Sequence, residues 1–84
     1  MHGTKLTNLE KYNNAFVNAL DVNINELNDL KYGDTHNWTS FGHMLLISSI
    51  EENFDIEFES EHISELTTYK EGKNLLKKFN INLD

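Results

Sequence analysis

Ser40 and His43 stand three residues apart in the stretch Trp38-Thr39-Ser40-Phe41-Gly42-His43, a spacing that puts a hydroxyl and an imidazole on one face of a helix. Such a pair is the beginning of a nucleophile and its general base. Hydrolytic catalysis also calls for an orienting acid in a recognisable arrangement and a strained turn of the G-x-S-x-G kind, and the sequence offers neither. Catalysis by Ser40 with His43 is therefore not expected. A serine entering an amphipathic helix has two other uses. Its hydroxyl can cap the helix, contributing about 1 kcal/mol. It can also carry a phosphate, which unpaired backbone N–H groups and the positive end of the helix dipole favour at that place.

Metal chemistry finds little support. Asp21, Asn23 and Asn25 match the first three ligand positions of an EF-hand loop, but Glu26 stands where the loop requires glycine and Tyr32 where it requires a bidentate glutamate. His2, His36, His43 and His62 lack zinc-ligand spacing, and the chain has no cysteine, which excludes disulfides and thiolate sites. No metal site is expected.

The elements that must hold Ser40 read as helices. Thr7-x-x-Glu10 is a capping box, followed by Leu9, Tyr12, Phe16, Val17 and Leu20 at helical spacing. A long loop then runs from Val22 to Trp38, with a short helical turn around Glu26 to Leu30 and with Leu27, Leu30 and Tyr32 expected to tack it onto the core. The central helix begins at Thr39 or Ser40, Ser40 being the expected N-cap, and carries Phe41, Met44, Leu45, Ile47, Ile50 and Phe54. Ile56-Glu57-Phe58 alternates like a strand, but no second alternating run exists to pair with it, so an extended linker is expected. Ser60 is placed to cap a short helix with Ile63 and Leu66, and Thr68-x-x-Glu71 opens a last helix with Tyr69, Gly72, Leu75, Leu76 and Phe79. The prediction is one all-α domain over residues 1–84: a small four-helix bundle with three main helices, one short helix and a long first connection. Trp38, just before the central helix, is expected in the core.

The 84 residues are 38% hydrophobic and 25% charged, a globular composition, and seven lysines against 14 acidic residues give a net charge of −7. With no arginine either, binding to nucleic acid or to an anionic membrane is not expected, and basic partners are. Charge is segregated. Glu51, Glu52, Asp55, Glu57, Glu59, Glu61 and Glu65 run without an intervening lysine, and Lys70, Lys73, Lys77 and Lys78 follow. No run of about 18 apolar residues and no signal-peptide pattern is present, so a cytoplasmic protein is the default expectation.

The stretch from Trp38 to Leu76, WTSFGHMLLISSIEENFDIEFESEHISELTTYKEGKNLL, resembles the acyl carrier protein family, in its stand-alone rather than its housekeeping form. In that family a loop ends in Asp-Ser-Leu, a helix follows with a Leu-Glu-x-x-Phe-like end, then an Ile-x-Ile-like linker, a short helix and a Thr-capped last helix. The matching features are Ser40-Phe41, Ile50-Glu51-Glu52-Asn53-Phe54, Ile56-Glu57-Phe58, Ile63 with Leu66, and Thr67-Thr68-Tyr69. Two positions depart from the pattern. The acid before the serine is Thr39, which removes one charge near the magnesium of the pantetheinyl transferase, and an early exposed acid of the recognition helix is Leu45.

The resemblance implies a four-helix carrier fold in which Ser40 holds a 4'-phosphopantetheine arm. The protein would be a substrate of other enzymes, namely a phosphopantetheinyl transferase and an acyl- or aminoacyl-adenylate ligase or acyltransferase, and a monomer. Partner contacts are expected at Phe41, His43, Met44, Leu45, Glu51 and Glu52, His43 lying on the helix surface near the arm. The alternative is an unmodified carrier-like interaction or regulatory module in which Ser40 serves as an N-cap only.

Overall fold

A computed structural model describes residues 6–33 and 37–83 of the chain. Among the described residues five helices follow one another: α1 (Asn8–Leu20), a 3-10 helix (Ile24–Asp29), α2 (Ser40–Phe54), α3 (Ser60–Glu65) and α4 (Tyr69–Lys77). No strand forms among the described residues, and the protein is a small, mostly helical domain. One isolated antiparallel bridge joins Lys31 to Thr68.

Local sequence accounts for most of the boundaries. The Thr7 and Glu10 capping box closes as expected, with Thr7 N donating to Glu10 Oε1 at 2.8 Å and Glu10 N to Thr7 Oγ1 at 3.1 Å. Helices α1 and α2 both end on an aspartate in the left-handed region, Asp21 and Asp55, each at φ 54°. Thr68 caps α4 by accepting from Glu71 N at 3.0 Å. The helix stops at Lys77, so Phe79 lies just beyond it. There Asn80 turns left-handed at φ 62° and Ile81 N donates back to Leu76 O at 3.1 Å.

Two further expected boundaries move. The loop turn predicted around Glu26 to Leu30 is a full 3-10 helix beginning at Ile24, opened by Asn23 N donating to Glu26 Oε1 at 2.9 Å. Ser60 is the first residue of α3 and not its cap; the cap position is Glu59, whose N–H donates to His62 Nδ1 at 2.9 Å. The imidazole reaches the orphan N–H from within the helix, a service the Ser60 hydroxyl cannot give from its own first turn.

Residues 56–59 form a linker without helix or strand, as expected for an unpaired segment. It is held to α2 by Ile56 N donating to Glu51 O at 3.1 Å and Phe58 N to Glu51 Oε2 at 2.8 Å. Ile56 and Phe58 are half-buried against the core.

The core is built on four aromatic rings. Phe16 meets Tyr12, Tyr69 and Trp38 edge to face, with centroids 5.0, 5.4 and 5.5 Å apart, an arrangement that favours T-shaped pairs by about 0.5–1.5 kcal/mol each. Around them pack Leu20, Leu27, Leu30, Leu46, Ile50, Leu66, Leu75 and Leu76. Tyr12, wholly buried, donates its hydroxyl to the Tyr69 carbonyl, and Tyr69 donates in turn to Asn13 Oδ1. Burial holds both phenols above the usual tyrosine range, Tyr12 the further and with the neighbouring Tyr69 adding to it. Gly72 packs beneath this pair, where a Cβ would collide with the Tyr12 hydroxyl and reach within 2.6 Å of Leu66 Cδ1. Helix α1 thus lies against α2 and the 3-10 helix, while α4 closes the other side against α3 and the 3-10 helix.

Candidate functional site

Ser40 opens α2, but its hydroxyl does not cap it. Thr39 occupies the N-cap, with extended backbone and with Oγ1 accepting from Gly42 N at 3.4 Å, while Thr39 O accepts from His43 N at 2.7 Å. Ser40 is therefore the first helical residue. Its side chain is exposed, and its Oγ lies 3.3 Å from the hydroxyl of Tyr32.

The chain ahead of Ser40 is pressed tightly against α1. Asn37 Nδ2 donates to Leu20 O at 2.8 Å and thereby ties the loop to the end of that helix. Gly42 is buried in the same junction. A Cβ there would strike the Asn37 carbonyl oxygen and come within 3.0 Å of Leu20 Cδ2, so the first turn of α2 can sit this close only because residue 42 has no side chain.

Trp38 is fully buried, as expected. Its indole Nε1 donates to His43 Nδ1 at 2.9 Å, and His43 Nε2 lies 2.8 Å from the Ile63 carbonyl oxygen. Because the indole N–H can only donate, Nδ1 accepts and the imidazole proton sits on Nε2, donating to Ile63 O. His43 is thus a half-buried tie between the loop, α2 and α3. The expectation of a helix-surface histidine beside an arm is corrected accordingly: both ring nitrogens are spent inside the protein.

The remaining candidate residues divide in the same way. Phe41, Met44 and Leu45 are 74%, 53% and 44% exposed and share one face of α2 through their i, i+3, i+4 spacing. Glu52 is exposed, whereas Glu51 is half-buried with its carboxylate accepting from the linker at Phe58 N. Leu27 and Leu30 fasten the loop to the core as expected, and Tyr32, though 40% exposed, sets its ring edge to face against buried Trp38 at 6.3 Å.

Beside Ser40 an open cleft of about 380 Å³ is lined by Tyr32, His43, Ile63, Ser64, Leu66 and Thr67. Among the described residues no three or more His, Cys, Asp and Glu side chains gather as metal ligands; His2 and His36 lie outside those residues. Asp21 ends α1 and Asn23 opens the 3-10 helix, so this segment is taken up by two helix termini. Among the described residues no helix is long and apolar enough to cross a membrane.

Comparison of the chain with protein-family models, with curated proteins and with solved structures finds no match. The site is read from its own geometry.

The importance of Tyr32, Asn37 and Gly42 was not visible in the spacing of residues. Their role comes from contacts across the loop, and the one sequence signal was a glycine in the first turn of a helix, where alanine is the better helix former.

Proposed function

We propose that this chain is a carrier protein of acyl-carrier type, a helical bundle whose Ser40 is the attachment site of a 4'-phosphopantetheine arm. The observation that carries this reading is the position of the Ser40 hydroxyl: exposed at the first residue of α2 and released from capping by Thr39. A serine kept there for helix stability alone would be doing a task its neighbour already does.

The residues present fit the group. The Ser40 oxygen is accessible for a phosphodiester, the adjoining helix N-terminus favours its negative charge, and Tyr32 offers a hydroxyl at its side. When bound, the arm supplies a terminal thiol on which an acyl or aminoacyl group is held as a thioester. The chain itself anchors the arm, offers the neighbouring cleft as partial shelter, and presents Phe41, Met44, Leu45 and Glu52 to partner enzymes. The partners are a phosphopantetheinyl transferase and an acyl- or aminoacyl-adenylate ligase or acyltransferase.

A second reading draws on the same exposed strip. Phe41, Met44 and Leu45 would equally serve an unmodified interaction module, in which Ser40 stays bare. Intact-mass spectrometry after incubation with coenzyme A, magnesium and a broad-specificity transferase separates the two. A single phosphopantetheine increment, absent in Ser40→Ala, is the expected result. No increment under conditions that modify a control carrier would leave the interaction module.

A further inference from the structure

Tyr32 is a surface tyrosine held in place at several points. Its backbone N–H donates to Thr67 O at 2.9 Å, beside the bridge between Lys31 and Thr68, and ties it to the start of α4. The next residue, Gly33, takes φ 83° and donates its N–H to Trp38 O at 3.0 Å, folding the loop back toward α2. The ring itself lies 4.9 Å from the His43 imidazole and meets Trp38 edge to face at 6.3 Å. A ring that remains 40% exposed gains only part of the burial energy of a core aromatic, so these anchors do more for its position than for the core. What they position is a hydroxyl 3.3 Å from Ser40 Oγ.

Among the described residues, Thr39 and His43, the polar neighbours in the first turn of α2, are committed elsewhere. The Thr39 hydroxyl accepts from Gly42 N, and both nitrogens of His43 are taken by Trp38 and Ile63. We propose that Tyr32 is the positioning residue of this site, its phenol orienting Ser40 Oγ before modification and donating its O–H to a free phosphodiester oxygen afterwards. This inference rests on the carrier reading of Ser40.

In the attachment step Ser40 Oγ forms a bond to the pantetheine-side phosphorus of coenzyme A. That phosphorus loses its bond to the bridging oxygen, adenosine 3',5'-bisphosphate leaves, and the serine proton passes to a base of the transferase. Tyr32 exchanges no proton in this scheme. It narrows the rotamers of Oγ and then supplies a neutral donor to the new monoanion, where a charge-assisted hydrogen bond is stronger than the hydroxyl–hydroxyl contact it replaces.

The test compares wild type, Tyr32→Phe and Tyr32→His. Phenylalanine keeps the ring, so its melting temperature should stay within about 3 °C of wild type. Its kcat/KM as a transferase substrate should fall about tenfold, as expected for one lost hydrogen bond, with the KM for coenzyme A unchanged. The phosphodiester 31P resonance of the modified Tyr32→Phe protein should shift from that of modified wild type, and Tyr32→His, a ring with a donor, should recover part of both effects. Tyr32→Phe modified at the wild-type rate, or modified with an unmoved 31P resonance, would overturn the role of Tyr32 while leaving Ser40 as the attachment site. A wild-type protein that stays unmodified beside a modified control would overturn both.

Discussion

The indole nitrogen of Trp38 donates to Nδ1 of His43 at 2.9 Å, and the same imidazole reaches the Ile63 carbonyl with Nε2 at 2.8 Å. A buried donor, a ring that can accept on one side and donate on the other, and a carbonyl one helix away form a continuous tie from the loop through α2 to α3. It joins the start of α2 to α3, and His43 and Ile63 both line the cleft beside Ser40. Its members are polar groups in a largely apolar setting, so each depends on the others.

His43→Ala breaks the tie at its centre. The Trp38 N–H loses its acceptor and the Ile63 carbonyl its donor, and the substitution should lower stability by about 2 kcal/mol. Urea unfolding followed by Trp38 fluorescence measures this directly. A midpoint equal to wild type would show that the tie contributes nothing to the fold.

Thr39→Ala and Ser40→Ala should differ. The first removes the N-cap of α2 and should cost about 1 kcal/mol, whereas the second removes a hydroxyl that caps nothing and should cost less than half of that. Thermal unfolding of the two variants side by side checks it. The opposite order would return the capping role to Ser40.

Alkaline pH should destabilise the protein through Tyr12. Burial, with Tyr69 adding to it, raises the Tyr12 phenol above its unfolded value of about 10, so both states are neutral below that pH and this contribution to stability is complete. Above about pH 10 the unfolded chain releases the proton while the folded protein keeps it, and stability falls as pH rises, by up to about 1.4 kcal/mol per pH unit. Tyr12→Phe should start lower, by about 1 kcal/mol for the lost hydrogen bond to Tyr69 O, and decline less steeply. Urea midpoints from pH 8 to 11 compare the slopes; parallel curves would place the titration elsewhere.

Leu45→Glu should leave the fold almost untouched, because the side chain is 44% exposed at the edge of the groove where α2 meets α1. A melting temperature within about 3 °C of wild type is expected, together with, on the carrier reading proposed for Ser40, weaker association with a loading ligase or transferase. A large loss of stability would mean that the leucine packs against Leu20 more than it faces partners.

The sequence by itself determined which segments become helices, because those signals are local. Thr7 with Glu10, and Thr68 ahead of Glu71, satisfy backbone groups within their own first turns, and the apolar spacing of Tyr12, Phe16 and Leu20 or of Ile47, Ile50 and Phe54 follows the helical period whatever lies opposite. The same pattern marked Ser40 as a helix-entry residue and Trp38 as core. Only the tertiary structure decided which hydroxyl caps α2, since Thr39 and Ser40 are chemically equivalent candidates and the close approach of Gly42 to Asn37 and Leu20 settles where the helix begins. It likewise turned His43 inward and left Tyr32 part-exposed against it. Imidazole and phenol can each be buried or exposed, and the choice depends on partners at Trp38, Ile63 and Thr67, up to 35 residues away in the chain, that no local spacing reveals.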